Sequence, residues 1–168
     1  MTSCFSVAGC TTSDCFLGAG AGGDQLVIVS ATGLPTPIVD NMFSDTVIPV
    51  AATGTIRKMV VGWGITHTFD ADVDIFLAAP GQPLPGADIC TDNGGGGDNF
   101  TGTFMRDNVA TAVTSGTAPF TGAFRPETPL STFNGLQVNG NWNLRVGDDA
   151  GGDTGTLNSA VLAFCVTP

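Results

Sequence analysis

The sequence predicts an all-β protein, an antiparallel sandwich, and three observations carry that prediction. Fourteen of the fifteen acids are Asp and Lys occurs once. Glu and Lys fill helix surfaces, whereas Asp, Gly, Asn and Thr favour turns and strand ends. Glycine (24) and proline (10) punctuate short apolar runs, and those runs alternate with period two, as half-buried strands do. With 168 residues, 42% of them apolar, the chain can form one core and bury roughly 70% of its unfolded surface. A second full domain is not expected.

Residues 1–24 are rich in Cys, Gly, Ser and Thr and end in GAGAGGD; they read as an N-terminal arm or linker, and 25–168 as the sandwich. QLVIVS (25–30) is a short strand between turn formers, followed by a loop carrying Pro35 and Pro37. TVIPV (46–50) is strand-like, but Pro49 confines it to a sheet edge or a bulge. In TIRKMVVGWGI, Met59, Val61, Trp63 and Ile65 alternate with Lys58, Val60, Gly62 and Gly64, the clearest strand signal in the chain. Val73, Ile75 and Leu77 alternate with Asp72, Asp74 and Phe76, which predicts a half-buried strand with an acidic outer face.

From Gly81 to Asp107 the glycine run excludes helix and leaves a long loop or a pair of short strands. Asn108–Gly116 reads equally as a strand or a turn of helix, and the stretch from Ala118 to Gly135 reads as loop. Trp142, Leu144 and Val146 mark one more strand and Leu162, Phe164 and Val166 another. The Asp/Gly loop between them suggests a long-looped hairpin. Strands so spaced, without a helix, fit a plain sandwich, a jelly-roll or a Greek key.

A net charge of −10 leaves no basic patch for nucleic acid or an anionic membrane. No apolar run is long enough to span a bilayer as a helix. The N-terminus lacks the basic start and apolar centre of a signal peptide, so the chain reads as a mature form or an excised segment with an added Met. Cysteines stand at Cys4, Cys10, Cys15, Cys90 and Cys165. They form no zinc spacing, and the acidic, Lys-poor composition favours an extracellular chain with two disulfides and one leftover thiol, all five being candidates.

Two segments, GTIRKMVVGWGITHTFDADVDIFLAAPG and LSTFNGLQVNGNWNLRVGDDAGGDTGTLNSAVLAF, resemble the P-domain of proprotein convertases, most closely its bacterial secreted branch. The likeness runs through His67, Thr68, Asp72, Val73, Ile75, Leu77, Pro80 and Gly81. It resumes at Gly140, Trp142, Leu144, Val146, Asp148, Gly152, Asp153, Gly155 and Leu157, and covers about residues 45–166. Ala160 departs from it, standing where relatives carry a second Trp. The resemblance implies an antiparallel β-sandwich of jelly-roll type, often calcium-bound and without catalytic activity of its own.

The acids supply the candidate metal site. Asp70, Asp72 and Asp74 alternate, so on a strand their carboxylates share a face and repel one another. A hard cation relieves that repulsion, and Ca2+ takes oxygen ligands of this kind. The glycine-rich loop brings Asp92, Asp98 and Asp107 as further candidates, and Asp148 and Asp153 mark a second loop. Extracellular calcium modules bind at about 0.1 to 1 mM, so millimolar calcium adds roughly 0.4 to 1.4 kcal/mol per site. DADVDI is not an EF-hand, because Ile75 and Gly81 occupy the positions of its Gly and Glu.

His67, the only histidine, lacks a Gly-x-Ser-x-Gly partner and reads as structural. Asn99-Phe100-Thr101 is a glycosylation sequon. The expected function is a non-catalytic, calcium-binding extracellular module, structural, adhesive or self-assembling through its N-terminal arm at the cell surface. The alternative is an accessory domain of a secreted serine or metalloprotease, with that protease as its partner.

Overall fold

The longest ladder follows from the clearest alternation in the sequence. The computed structural model, which describes residues 24–168, pairs β4 (Thr55–His67) with β10 (Gly155–Thr167) antiparallel along most of their length. β10 also pairs with β1 (Gln25–Ser30) and β2 (Thr36–Ile38), while β4 continues to β7 (Phe100–Met105) and then β8 (Phe120–Phe124). The second sheet runs in the order β3 (Met42–Val50), β9 (Gly140–Asp148), β5 (Val73–Ala78) and β6 (Ala87–Cys90). The two sheets form a sandwich of jelly-roll type, antiparallel apart from the β7–β8 pair.

The core sits where the inner residues of both sheets meet: Val61, Trp63 and Ile65 from β4, Leu162 and Phe164 from β10, and Ile75, Leu77, Trp142 and Leu144 from the facing sheet. The Trp142 ring lies 5.3 Å from that of Phe133 and 5.0 Å from that of Phe164, and its Nε1–H donates to the Val138 carbonyl at 3.0 Å. Ala160, the departure noted in the sequence, faces Trp63 across the ladder and is 4% exposed. Trp63 in turn meets Phe100 edge-on at 6.5 Å. The small side chain therefore sits beside the large one without opening the core to solvent.

Several expectations change. β9 and β10 lie in different sheets, so the Asp/Gly loop is an arch over the sandwich end, because Trp142 and Phe164 approach the same core from opposite sides. Asp70–Asp72 form a 3-10 turn and the strand begins only at Val73; β5 lies inside its sheet, and Asp74 is 8% exposed. The expected acidic outer face is therefore absent. β2 carries Pro37 yet forms a short edge strand, where a missing N–H is tolerated. β8 rests on its parallel pairing with β7, a long-range contact with no local signature. Pro49 does lie on an edge strand, β3.

Among the described residues no helix is long and apolar enough to cross a membrane. Trp142→Ala is expected to cost about 3–5 kcal/mol of unfolding free energy, the usual range for emptying a fully buried aromatic site; equilibrium denaturation measures it.

Candidate functional site

The acids gather at one end of the sandwich because four backbone segments end there: β4 at His67, the turn into β5, the loop 91–99, and the arch from β9 to β10. His67 is 1% exposed and Asp148 fully buried. Asp148 Oδ2 accepts from His67 Nε2 at 3.1 Å, and its Oδ1 accepts the Ala150 N–H at 3.0 Å. His67 Nδ1 lies 2.9 Å from the Phe69 carbonyl oxygen. Gly155 pairs opposite His67, and a side chain there would strike the imidazole and the Thr66 carbonyl. The ring is thus enclosed from every side and cannot reach a substrate.

The loop 91–99 closes over the turn. The N–H groups of Asp70 and Ala71 donate to the Gly97 and Gly95 carbonyls at 2.9 and 3.1 Å. The Asn99 N–H donates to Asp70 Oδ1 at 2.8 Å, while Asn99 Oδ1 accepts the His67 N–H at 3.1 Å. The sequon side chain is therefore engaged inside the corner. Gly94, at φ +103°, brings the backbone so close that a Cβ would lie 2.7 Å from the Phe120 ring and 2.9 Å from the Asp70 Cβ.

In this corner, among the described residues, two carboxylates are buried with one oxygen unmatched: Asp70 Oδ2 and Asp74 Oδ1. Burial is the main cause that pushes the Asp70 carboxyl up to about 6, with the Asp98 charge adding to it and the Asn99 bond and His67 opposing. Burial likewise pushes Asp74 up to about 6, reinforced by Asp149 and Asp92 and opposed by the Asp92 N–H that it accepts. Asp72 is raised as well, by desolvation first and then by Asp148 and Asp153. The two loops expected as separate acidic sites thus act on one corner.

Of the sequence candidates, Asp70, Asp72, Asp74, Asp92, Asp98, Asp148 and Asp153 meet in this region. Asp107 does not join them. Its two oxygens accept the N–H groups of Leu130 and Ser131 at 2.7 and 2.8 Å, so it holds the 3-10 turn Leu130–Phe133. Asp153 Oδ1 accepts the Thr68 hydroxyl at 2.6 Å. Sequence reasoning missed Glu127, which accepts from the Thr91 N–H and from Asn93 Nδ2, both at 2.7 Å, and adds to the negative field at Asp74. Only its being the single Glu marked it out.

The donors suit a hard cation: carboxylate oxygens, two of them buried without a partner, beside a glycine-rich backbone. Among the described residues no group of three His, Cys, Asp or Glu forms a ready metal cage, so carbonyl and water oxygens would have to complete a coordination shell. Cys90, a disulfide candidate in the sequence, is instead a free and buried thiol. Desolvation pushes its pKa up, and its sulfur accepts from Asn93 Nδ2 at 3.7 Å. Cys4, Cys10 and Cys15 lie outside the described residues.

The raised carboxyls set the sign of a pH response. Between the ordinary value of 3.8 and about 6, the folded chain holds protons that the unfolded chain has released, so metal-free stability falls as pH rises through that window. In chelator, acidification from pH 7 to 5 is expected to raise Tm by about 5 °C or more. Asp74→Asn is expected to raise Tm at pH 7 and flatten the slope, as thermal melts would show.

Comparison with known proteins agrees with this architecture. The family model described as the proprotein convertase P-domain matches residues 56–164, from β4 to near the end of β10. The crystal structure of the Aeromonas sobria serine protease and chaperone (ORF2) complex is similar at a TM-score of 0.50 and 17% identity, over 86% of this chain and 26% of that one. The Aeromonas sobria serine protease structure gives a TM-score of 0.47 at 16% identity, over 84% and 26%. This chain therefore spans about a quarter of the length of the chains it matches. No curated protein matches the sequence. With the family model covering well over half of its residues, the chain belongs to the proprotein convertase P-domain family.

Proposed function

We propose that this chain is a non-catalytic accessory module that works outside the cell beside a secreted serine or metalloprotease, which it stabilises or brings to substrate. The observation that carries this reading is the family match over residues 56–164. The enclosure of His67 supports it: the one histidine is spent on joining strand ends. A surface feature agrees as well. Edge strand β3 exposes Met42, Phe43 and Val47 at 57, 43 and 48%, and the Phe43 ring lies 6.1 Å from that of Phe76 on the outside of the second sheet. On that face the Asp45–Arg145 ion pair stands between Phe43 and Val47, and a mixed apolar and charged surface of this kind suits a neighbouring protein domain.

Calcium is the proposed cofactor, with Asp70 and Asp74 as its innermost carboxylates and Asp72, Asp92, Asp98 and Asp149 as nearby charge. Bound there, it would supply the positive charge that the two unmatched oxygens lack and hold the 91–99 loop on the turn. The adhesive, self-assembling reading is less well supported. β1, the strand that such assembly would export, pairs in register with β10 of its own chain.

Light scattering on the purified chain, in millimolar calcium and again after chelation, tests the choice. The accessory reading expects a monomer in both states, with a higher Tm in calcium that Asp74→Asn removes. Large assemblies that dissolve on chelation would reject it in favour of a structural subunit. Hydrolysis of protein or glycoside substrates that His67→Ala abolishes would reject a non-catalytic role.

A further inference from the structure

The outer face of the first sheet carries a stripe that the core does not explain. Directly paired residues in an antiparallel ladder share a face. Cys165 stands between Leu26 and Lys58, and Ala163 between Ile28 and Val60. Their neighbours Leu162, Phe164 and Val166 belong to the core, whereas Ala163 and Cys165 do not, so these two face outward. They are nevertheless 4% and 6% exposed. Asp24, at the entry to β1, also has its side chain only 5% exposed, with Arg57 Nε 3.7 Å from its carboxylate. Small side chains on the outside of a sheet beside its edge strand are not expected to be this dry.

The chain itself offers an occupant. Twenty-three residues precede Asp24 and include three cysteines and the apolar residues Phe5, Val7, Phe16 and Leu17. β1 begins at Gln25, one residue before the partner of Cys165. Gly18–Gly23 is composed of Gly and Ala alone, and six such residues reach up to about 20 Å, enough to double back over β10. Parity agrees: Cys90 is a buried thiol, so four cysteines remain, enough for two disulfides.

We propose that residues 1–23 cover the outer face of the first sheet over β1, β10 and β4, held there by a disulfide from Cys165 to Cys4, Cys10 or Cys15. The bond forms by exchange with a small disulfide such as oxidised glutathione. One protein thiolate attacks it to give a mixed disulfide and one glutathione thiol. The second protein thiolate then displaces the other, so two electrons pass from the protein sulfurs to glutathione and the two protons end on its thiols.

The test uses the full chain folded in a glutathione redox buffer, alkylated in denaturant without reduction and cut with trypsin. Cleavage at Arg57 and Arg145 separates 1–57, which holds the three arm cysteines, from 146–168, which holds Cys165. The expected result is one linked species of these two peptides, separated by reduction, from protein with the mass of a single chain. Recovery of 146–168 with Cys165 alkylated would overturn the proposal, as would its linkage to the Cys90 peptide. The same linkage in protein of twice the chain mass would overturn it by showing that the arm belongs to a second copy. Cys165→Ser is expected to bind severalfold more of an apolar-surface dye than the oxidised wild type; equal dye binding would overturn the covering of the face.

Discussion

The antiparallel ladder between β4 and β10 is the constraint on which the rest depends. Each of these strands is thirteen residues long; β1, β2 and β7 pair directly with one of them, and β8 follows through β7. Its inner residues contribute Trp63 and Phe164 to the core, and its register sets Gly155 opposite His67. A slip of one residue would exchange the core and outer faces along both strands. It would also remove the only residue that leaves room for the imidazole.

At the end of that ladder the protein concentrates unfavourable electrostatics. Buried carboxylates without a full set of donors cost free energy, and here two of them are enclosed by the same loop that caps the turn before β5. The His67–Asp148 pair is the satisfied counterpart: both carboxylate oxygens have donors and the ring has partners on both nitrogens. A well-satisfied pair beside poorly satisfied acids separates the part of the corner that holds the strand ends together from the part where buried oxygens still lack partners.

Much of this was legible in the sequence. Period-two alternation located β4, β9 and β10, and Pro49 marked an edge. What alternation could not convey is which strands become neighbours. Leu144 and Leu162 read alike, yet they belong to opposite sheets, and β8 exists through its pairing with β7 rather than through any local preference. The acids show the same limit. Spacing grouped Asp70, Asp72 and Asp74 as equivalents on a strand, but a 3-10 turn gives them three different environments. Asp107 resembled its neighbours in composition and turned out to hold backbone amides, while Glu127 reached the corner from far along the chain, where no motif pointed to it.

The way Asn99 is held has a consequence for how the protein can be made. Its side-chain oxygen accepts the His67 N–H and its backbone N–H donates to Asp70, while a sugar would attach through the amide nitrogen Nδ2, so the fold fixes the direction in which a glycan would leave this position. In a host whose secretory pathway modifies Asn-x-Thr sequons, oligosaccharide transfer would compete with folding during synthesis. Chains modified before the corner closes would fold with a glycan beside the turn that carries Asp70. A host without that machinery, or a Thr101→Ala chain, avoids the competition altogether.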